Sequence, residues 1–220
     1  MNSILYDAYH NFAYSFISLF SIVNPIGMSA VFLSMTQDYA ERQRQRMAWR
    51  VALFSAVLLI AVFFVGIYVL NFFEISLASL QIAGGLLIFY TAWTMLNAPA
   101  NSPEHRKAHA ADQQRTDITF FPLTMPITAG AGSMAITVAM AANLRQDAHD
   151  NYIVSHVSSV AGICAVFIIV GICYSVADVI FRKLGETGTS VVTRLAAFIL
   201  LAISVNVVWS GTRSLILTLH

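Results

Sequence analysis

Two stretches of this chain place proline, glycine and small hydroxyl or amide side chains in the middle of long apolar runs. Asn24-Pro25-Ile26-Gly27 lies within residues 8–37, and Thr124-Met125-Pro126-Ile127-Thr128-Ala129-Gly130-Ala131-Gly132-Ser133 lies within residues 118–144; neither run contains Asp, Glu, Lys or Arg. Proline inside a helix removes a backbone donor and clashes with the preceding turn, and glycine adds backbone freedom. Both stretches are therefore expected to break a helix near its middle. A broken helix exposes amide N–H groups at the start of its second half and carbonyls at the end of its first. Two such amide ends can hold a carboxylate, and the carbonyl ends can receive an ammonium group or a cation. A zwitterion would then be matched without an ionised side chain. Asn24, Pro25, Gly27, Thr124, Pro126, Thr128, Gly130, Gly132 and Ser133 form the candidate substrate-binding set, with Asn24 as helix cap and Pro25 at the first helical position.

These motifs need a lipid-embedded scaffold, and the composition supplies one. Charged residues make up 10% of the chain and hydrophobic residues 58%, against about 25% and about 45–50% in a soluble domain. Residues 51–73, 75–103, 151–177 and 195–212 are four more runs without acidic or basic residues. A helical crossing of the hydrocarbon core takes about 20 apolar residues. The expected fold is therefore all-α, with six transmembrane helices; the short alternating strands of a β-barrel are not seen. The start, Met1-Asn-Ser-Ile-Leu-Tyr-Asp7, lacks the basic region of a cleaved signal peptide, so the first run is expected to be a retained helix. Residues 98–117, with Pro99 and Pro103, read as a linker between three-helix repeats at 1–97 and 118–220. An odd number of crossings per repeat inverts the second relative to the first, and each repeat opens with a broken helix.

The basic residues orient this scaffold. Arg42, Arg44, Arg46, Arg50, Arg106, Lys107, Arg115, Arg182, Lys183 and Arg194 fall in alternate connections, leaving only Arg145 and Arg213 of the twelve Lys and Arg for the other side. Basic residues collect in cytoplasmic loops. Residues 35–50, 98–117 and 181–194 should thus be cytoplasmic, with both termini outside the cell (inner) membrane.

Other chemistries find little support. No H-E-x-x-H or G-x-S-x-G motif occurs, no two acids share a run, and no nucleotide-binding motif is present, so no catalytic residue, metal site or cofactor is expected and the chain is not read as an enzyme. His105 and His109 are four apart but have no further ligand cluster around them. Cys164 and Cys173 are separated by about 13 Å of helix, too far to bridge. Asp178 is expected to pair with Arg182 one turn later. Isolated Ser21 and Asn206 can serve a cavity or join helices. Gln81, His156, Trp93 and Trp209 suit interfacial or packing positions. Nothing in the charge distribution points to nucleic acid.

The motifs resemble those of the MarC family of membrane proteins, which includes the SnatA-type small neutral amino acid transporters. The matching elements are Val23-Asn-Pro-Ile-Gly27, Arg42 and its neighbours, Ile82-Ala-Gly-Gly85, Pro122-Leu-Thr-Met-Pro126, Ala129-Gly-Ala-Gly132 and Thr193-Arg-Leu195, which extend over nearly the whole chain. The family usually shows Ala-Gly-Pro-Gly where this chain has Ala129-Gly130-Ala131-Gly132, and often a Gly near Ala196-Ala197. The resemblance implies transport of a small neutral amino acid such as glycine or alanine, most simply outward, by alternating access at a midplane site. Coupling to Na+ or H+ is compatible with it, and membrane lipid is the surrounding partner. The alternative is a channel or facilitator for a small polar solute. Neither the oligomeric state nor the coupling ion is encoded in any motif.

The topology is open to a direct check. In the rival arrangement the first and fourth runs are re-entrant hairpins and the bias of basic residues weakens to nine against three. A cysteine introduced by Ala148→Cys should react with impermeant reagent from the side opposite a cysteine in the loop around residue 44. Labelling of both from one side would exclude six alternating crossings.

Overall fold

The computed structural model describes residues 2–36, 38–97, 118–146 and 152–218, all of them helical or in tight connections. The expected linker at 98–117 and residue 148 lie outside these described residues. The elements are α1 (Asn2–Val23), α2 (Pro25–Thr36), α3 (Glu41–Phe72), α4 (Leu77–Asn97), a widened segment α5 (Thr119–Thr128), α6 (Ala131–Gln146) and α7 (Tyr152–Thr218). Among the described residues, five helical stretches are long and apolar enough to cross a membrane: 4–33 through the α1–α2 break, 41–72, 77–94, 152–181 and 197–217. The fourth expected run differs. It forms a shorter apolar helix, Gly132–Leu144, preceded by α5.

Residues 181–194, expected as a loop, are helical on both sides of Gly185. The bend between the two limbs of α7 falls on Gly185, whose φ of 67° and ψ of −178° are non-helical. Such a conformation is open essentially to glycine alone.

Close contacts fix the directions of the helices. Gly162 of α7 faces Phe12, Ser15 and Phe16 of α1, and Tyr174 stacks on Phe32 of α2, so the first limb of α7 runs parallel to α1 and α2. Arg44 meets Asp178, Trp49 meets Gly171, and Phe63 meets His156, so α3 runs antiparallel to that limb. Phe54 touches Phe120 and Gly66 faces Val138, which aligns α5 and α6 with α3. The two broken segments therefore run in opposite directions. Gly85 faces Ser204 and Val208 while Gly211 faces Ala78 and Ile82, so α4 and the second limb of α7 are antiparallel.

The principal core joins Leu19, Val23 and Phe32 of α1 and α2, Val51, Leu59 and Phe63 of α3, Leu123 of α5, Met140 of α6, and Ile163, Phe167 and Tyr174 of α7. Large apolar side chains also cover the outside: Phe72 is 82% exposed and Ile17, Leu53 and Phe198 are about as exposed as surface residues of a soluble protein. A soluble fold rarely exposes so much contiguous apolar surface; lipid tails are its natural neighbour. Trp93 and Trp209 stand on this outer surface, more than half exposed, as does Asn206. Cys164 and Cys173 are both free.

Glycine seams let the helices approach closely. A Cβ on Gly162 would lie 2.9 Å from both the Phe12 carbonyl oxygen and Ser15 Cβ, and 3.2 Å from the Phe16 amide nitrogen. Two of these three atoms are backbone and cannot step aside by a rotamer change. Gly162→Ala should therefore separate α1 from α7 and cost about 1–3 kcal/mol, the usual range for overpacking. Denaturant unfolding in detergent would measure the loss.

Candidate functional site

The first break is built from Asn24. Its φ of 47° is in the left-handed region, which asparagine tolerates better than most residues. Its own amide closes α1 by donating to the Phe20 carbonyl at 3.0 Å, and its carbonyl accepts from the Met28 amide at 2.9 Å to open α2. The side chain caps the new helix: the Gly27 amide donates to Asn24 Oδ1 at 3.3 Å. Pro25 occupies the first helical position, where a missing N–H costs nothing. The capping expected from the sequence is thus the local mechanism of the break.

The second break has a different construction. Pro122 and Pro126 deprive α5 of two amide donors and crowd the carbonyls four residues earlier. The backbone responds by widening, with the Leu123 amide donating to the Ile118 carbonyl at 3.3 Å and the Ala129 amide to the Thr124 carbonyl at 2.8 Å, each five residues back. Threonine hydroxyls supply further donors in the same spacing: Thr124 Oγ1 donates to the Thr119 carbonyl and Thr128 Oγ1 to the Leu123 carbonyl, both at 2.8 Å. Ala129 and Gly130 leave the helix, and α6 starts at Ala131. The Gly130 carbonyl then accepts from the Met134 amide at 3.1 Å and from Ser133 Oγ at 2.8 Å. Widened turns of this kind recur at functional sites.

A cavity of about 250 Å3 lies between the breaks, lined by Ile22, Val23, Met28, Leu87, Ile88, Ile127, Thr128, Gly130, Gly132, Ser133 and Leu200. Of the nine residues singled out in the sequence, Thr128, Gly130, Gly132 and Ser133 line it. Asn24, Pro25, Gly27 and Thr124 do not: the last three are buried in the packing, and Asn24 is half-buried as the cap. The side chain of Pro126 lies outside the described ones. The first break contributes through its flanks, Val23 and Met28. The apolar wall from α4 and the second limb of α7, Leu87, Ile88 and Leu200, carried no polar signal by which sequence could single it out.

Tyr174 was also unforeseen. It is 1% exposed, stacks on Phe32 with ring centroids 4.6 Å apart, and its hydroxyl lies 3.0 Å from Thr128 Oγ1. Thr128 has one hydroxyl proton, already given to Leu123, so Tyr174 is the donor of this bond. One turn further along α7, Asp178 Oδ2 accepts from Arg44 Nη2 of α3 at 3.0 Å. This cross-helix partner was not expected from the sequence; the Arg182 side chain, expected to pair with Asp178, lies outside the described ones. A guanidinium fork brought from a neighbouring helix satisfies a carboxylate where water is scarce. Thr128, Tyr174 and Phe32 thus form one contact group beside the cavity, and the Asp178–Arg44 pair follows it one turn along α7 toward the basic end of the molecule.

Residues 9–216 match the MarC family of integral membrane proteins. The chain belongs to the MarC family. Among curated MarC-type relatives, it is 31% identical over 202 residues to the UPF0056 membrane protein YvbG of Bacillus subtilis, covering 91% of this chain and 93% of the relative. It is 32% identical over 210 residues to the UPF0056 membrane protein MJ1677 of Methanocaldococcus jannaschii, covering 94% and 98%. The UPF0056 inner membrane protein MarC of Salmonella typhimurium is 27% identical over 219 residues, covering 97% and 99%. No solved structure matches. Among the described residues of this MarC-family chain, no group of three or more His, Cys, Asp and Glu is placed to hold a metal ion.

The ion pair can be tested by cutting one partner. The side chains of Arg44 and Asp178 are 9% and 22% exposed. Removing one member of a fully buried pair costs about 3–5 kcal/mol, and residual solvent at Asp178 should reduce this to about 2–3 kcal/mol for Arg44→Ala. Arg44→Met combined with Asp178→Leu should recover most of the loss, as read from unfolding in detergent.

Proposed function

We propose that this chain is a secondary transporter carrying small neutral amino acids, such as glycine and alanine, outward across the cell inner membrane by alternating access. The observation that carries this reading is the cavity between two helix breaks, walled by Val23 and Met28 from one and by Thr128, Gly130, Gly132 and Ser133 from the other. Its volume of about 250 Å3 is below the roughly 300–1,000 Å3 of pockets for drug-sized ligands. An amino acid entering it must lose water from both charged ends, and no ionised side chain lines the cavity to replace that water. The amide end of α6, at Gly132 and Ser133 in the cavity wall, supplies the compensation for the carboxylate, and the dipole of α2 adds to it from the capped first break. The apolar walls accept hydrogen or methyl at the side-chain position and give a larger polar side chain no partner.

The scaffold we assign to this activity has six crossings in two inverted repeats, 1–97 and 118–220, joined by a cytoplasmic linker at 98–117, with α5 and α6 together making the fourth crossing. It is supported by the opposite directions of the two broken segments and by the segregation of basic residues. Both termini then face outward. The Arg44–Asp178 pair and the Phe32–Tyr174 stack close the cytoplasmic side of the cavity, and separating them opens it. The name of the Salmonella relative places that protein in the inner membrane, in keeping with this assignment. Transport runs down the substrate gradient or is coupled to Na+ or H+.

Purified protein in liposomes should show saturable, counter-transportable flux of labelled glycine or alanine, with Na+ and pH gradients varied separately. Flux that neither saturates nor exchanges would instead indicate a channel for small polar solutes. A Cβ at Gly132 overlaps the Ile88 side chain in the cavity wall, so Gly132→Val should abolish flux, and Gly130→Val should act in the same direction. Asn24→Ala removes one cap and should weaken binding by roughly 2–30-fold, equivalent to about 0.5–2 kcal/mol. Unchanged affinity and flux in all three folded variants would exclude this site.

A further inference from the structure

A second and larger cavity, of about 410 Å3, lies at the end of the molecule opposite the Arg44–Asp178 pair, enclosed by α1, α6 and the start of α7. Its lining differs in kind from that of the central cavity. Asp7 brings a carboxylate, Tyr6, Tyr14 and Tyr152 bring aromatic rings, and Ser155 and Ser159 bring hydroxyls. The serines are 5% and 2% exposed and the tyrosines 68%, 45% and 57%, so the hydroxyls lie deep and the rings stand around the mouth. Asp7 is half-buried, and no cation or hydrogen-bond donor is paired with it among the described residues. Position 7 precedes the break at position 24 by about 25 Å of helix, which separates the two cavities.

We propose that this cavity is a binding site for a primary ammonium group. An ammonium carries one positive charge and three donors. The Asp7 carboxylate meets the charge, the Ser155 and Ser159 hydroxyls accept further hydrogen bonds, and the tyrosine faces add cation–π attraction. The same set suits a bare metal ion poorly. It offers one carboxylate, the His10 imidazole, the Asn11 and Asn143 amides and neutral hydroxyls, but among the described residues no three His, Cys, Asp or Glu are placed to hold a metal ion, and a single ion would leave most of the cavity unfilled. An anion meets Asp7 with like charge. The ammonium can come from a free amine in the aqueous phase or from the headgroup of phosphatidylethanolamine, since tyrosine-rich mouths sit at the level of lipid headgroups. This assignment is independent of the transport reading.

Calorimetric titration of the full chain in maltoside micelles with n-propylammonium chloride tests it. Saturable binding is expected, with propionate and Na+ unable to compete. Asp7→Asn keeps the shape of the side chain and should lower affinity by about tenfold or more, the effect of removing one charge-assisted contact. Tyr14→Leu should produce a smaller loss and serves as the second variant if Asp7→Asn fails to fold. Competition by added phosphatidylethanolamine would assign the site to the lipid headgroup, and its absence to the free amine. No saturable binding, equal competition by Na+, or unchanged affinity in both variants would each overturn the proposal.

Discussion

A backbone amide or carbonyl released within lipid has no water to turn to, and this constraint governs the molecule. At both breaks local substitute partners take up released backbone groups. At the first break the substitute is an amide side chain, with Asn24 Oδ1 accepting from Gly27. At the second it is a change of helical pitch, with threonine hydroxyls reaching carbonyls five residues back. The breaks can therefore persist within the packed interior. Their surroundings follow from the same need: the breaks pack against α3, α4 and α7, and large apolar side chains of the helices turn outward.

Holding irregular segments inside demands close packing, which glycine provides at the crossings of α1 with α7, α3 with α6 and α4 with α7. Without a hydrophobic drive between helices in lipid, such contacts and a few polar bonds carry association. The Arg44–Asp178 bond joins α3 to α7, and the Thr128–Tyr174 bond joins α5 to α7. Tyr174 and Asp178 share one face of α7, being four residues apart. A displacement of this limb would act on both bonds at once, coupling the cavity floor to the basic end.

Much of this architecture could be read from the residues. Charge-free runs located the long helices, and Asn24-Pro25 located both the break and its cap, because capping chemistry is local and leaves a local signature. The fourth run was read as one broken crossing, but its first part is widened rather than α-helical. Two prolines four apart announce lost donors without announcing which new spacing will absorb them. The pairing of Asp178 with Arg44 was hidden for another reason. Sequence favours the neighbour one turn away, while folding brings a guanidinium from a helix more than a hundred positions earlier. One side of the cavity wall was likewise silent: Leu87, Ile88 and Leu200 differ from other apolar residues only by where they come to rest. Helix on both sides of Gly185 could not be foreseen at 181–194, since a run of Arg, Lys, Glu and Thr beside two glycines looks like a surface loop.

The bend at Gly185 has a mechanical meaning. Helix continues on both sides of it, and nothing lies within 4 Å of where its Cβ would be. A loop joining two rods can take up slack by rearranging many torsions, but a single non-helical residue has only two. Rotation of one limb of α7 relative to the other must therefore be concentrated in one pair of dihedrals, like the pin of a compass, with open space around the pin. The limb that carries Tyr174 and Asp178 and the limb that carries Leu200 of the cavity wall are thereby restricted to a narrow set of relative orientations. The freedom that shapes the cavity from its two sides is gathered at a residue far outside it.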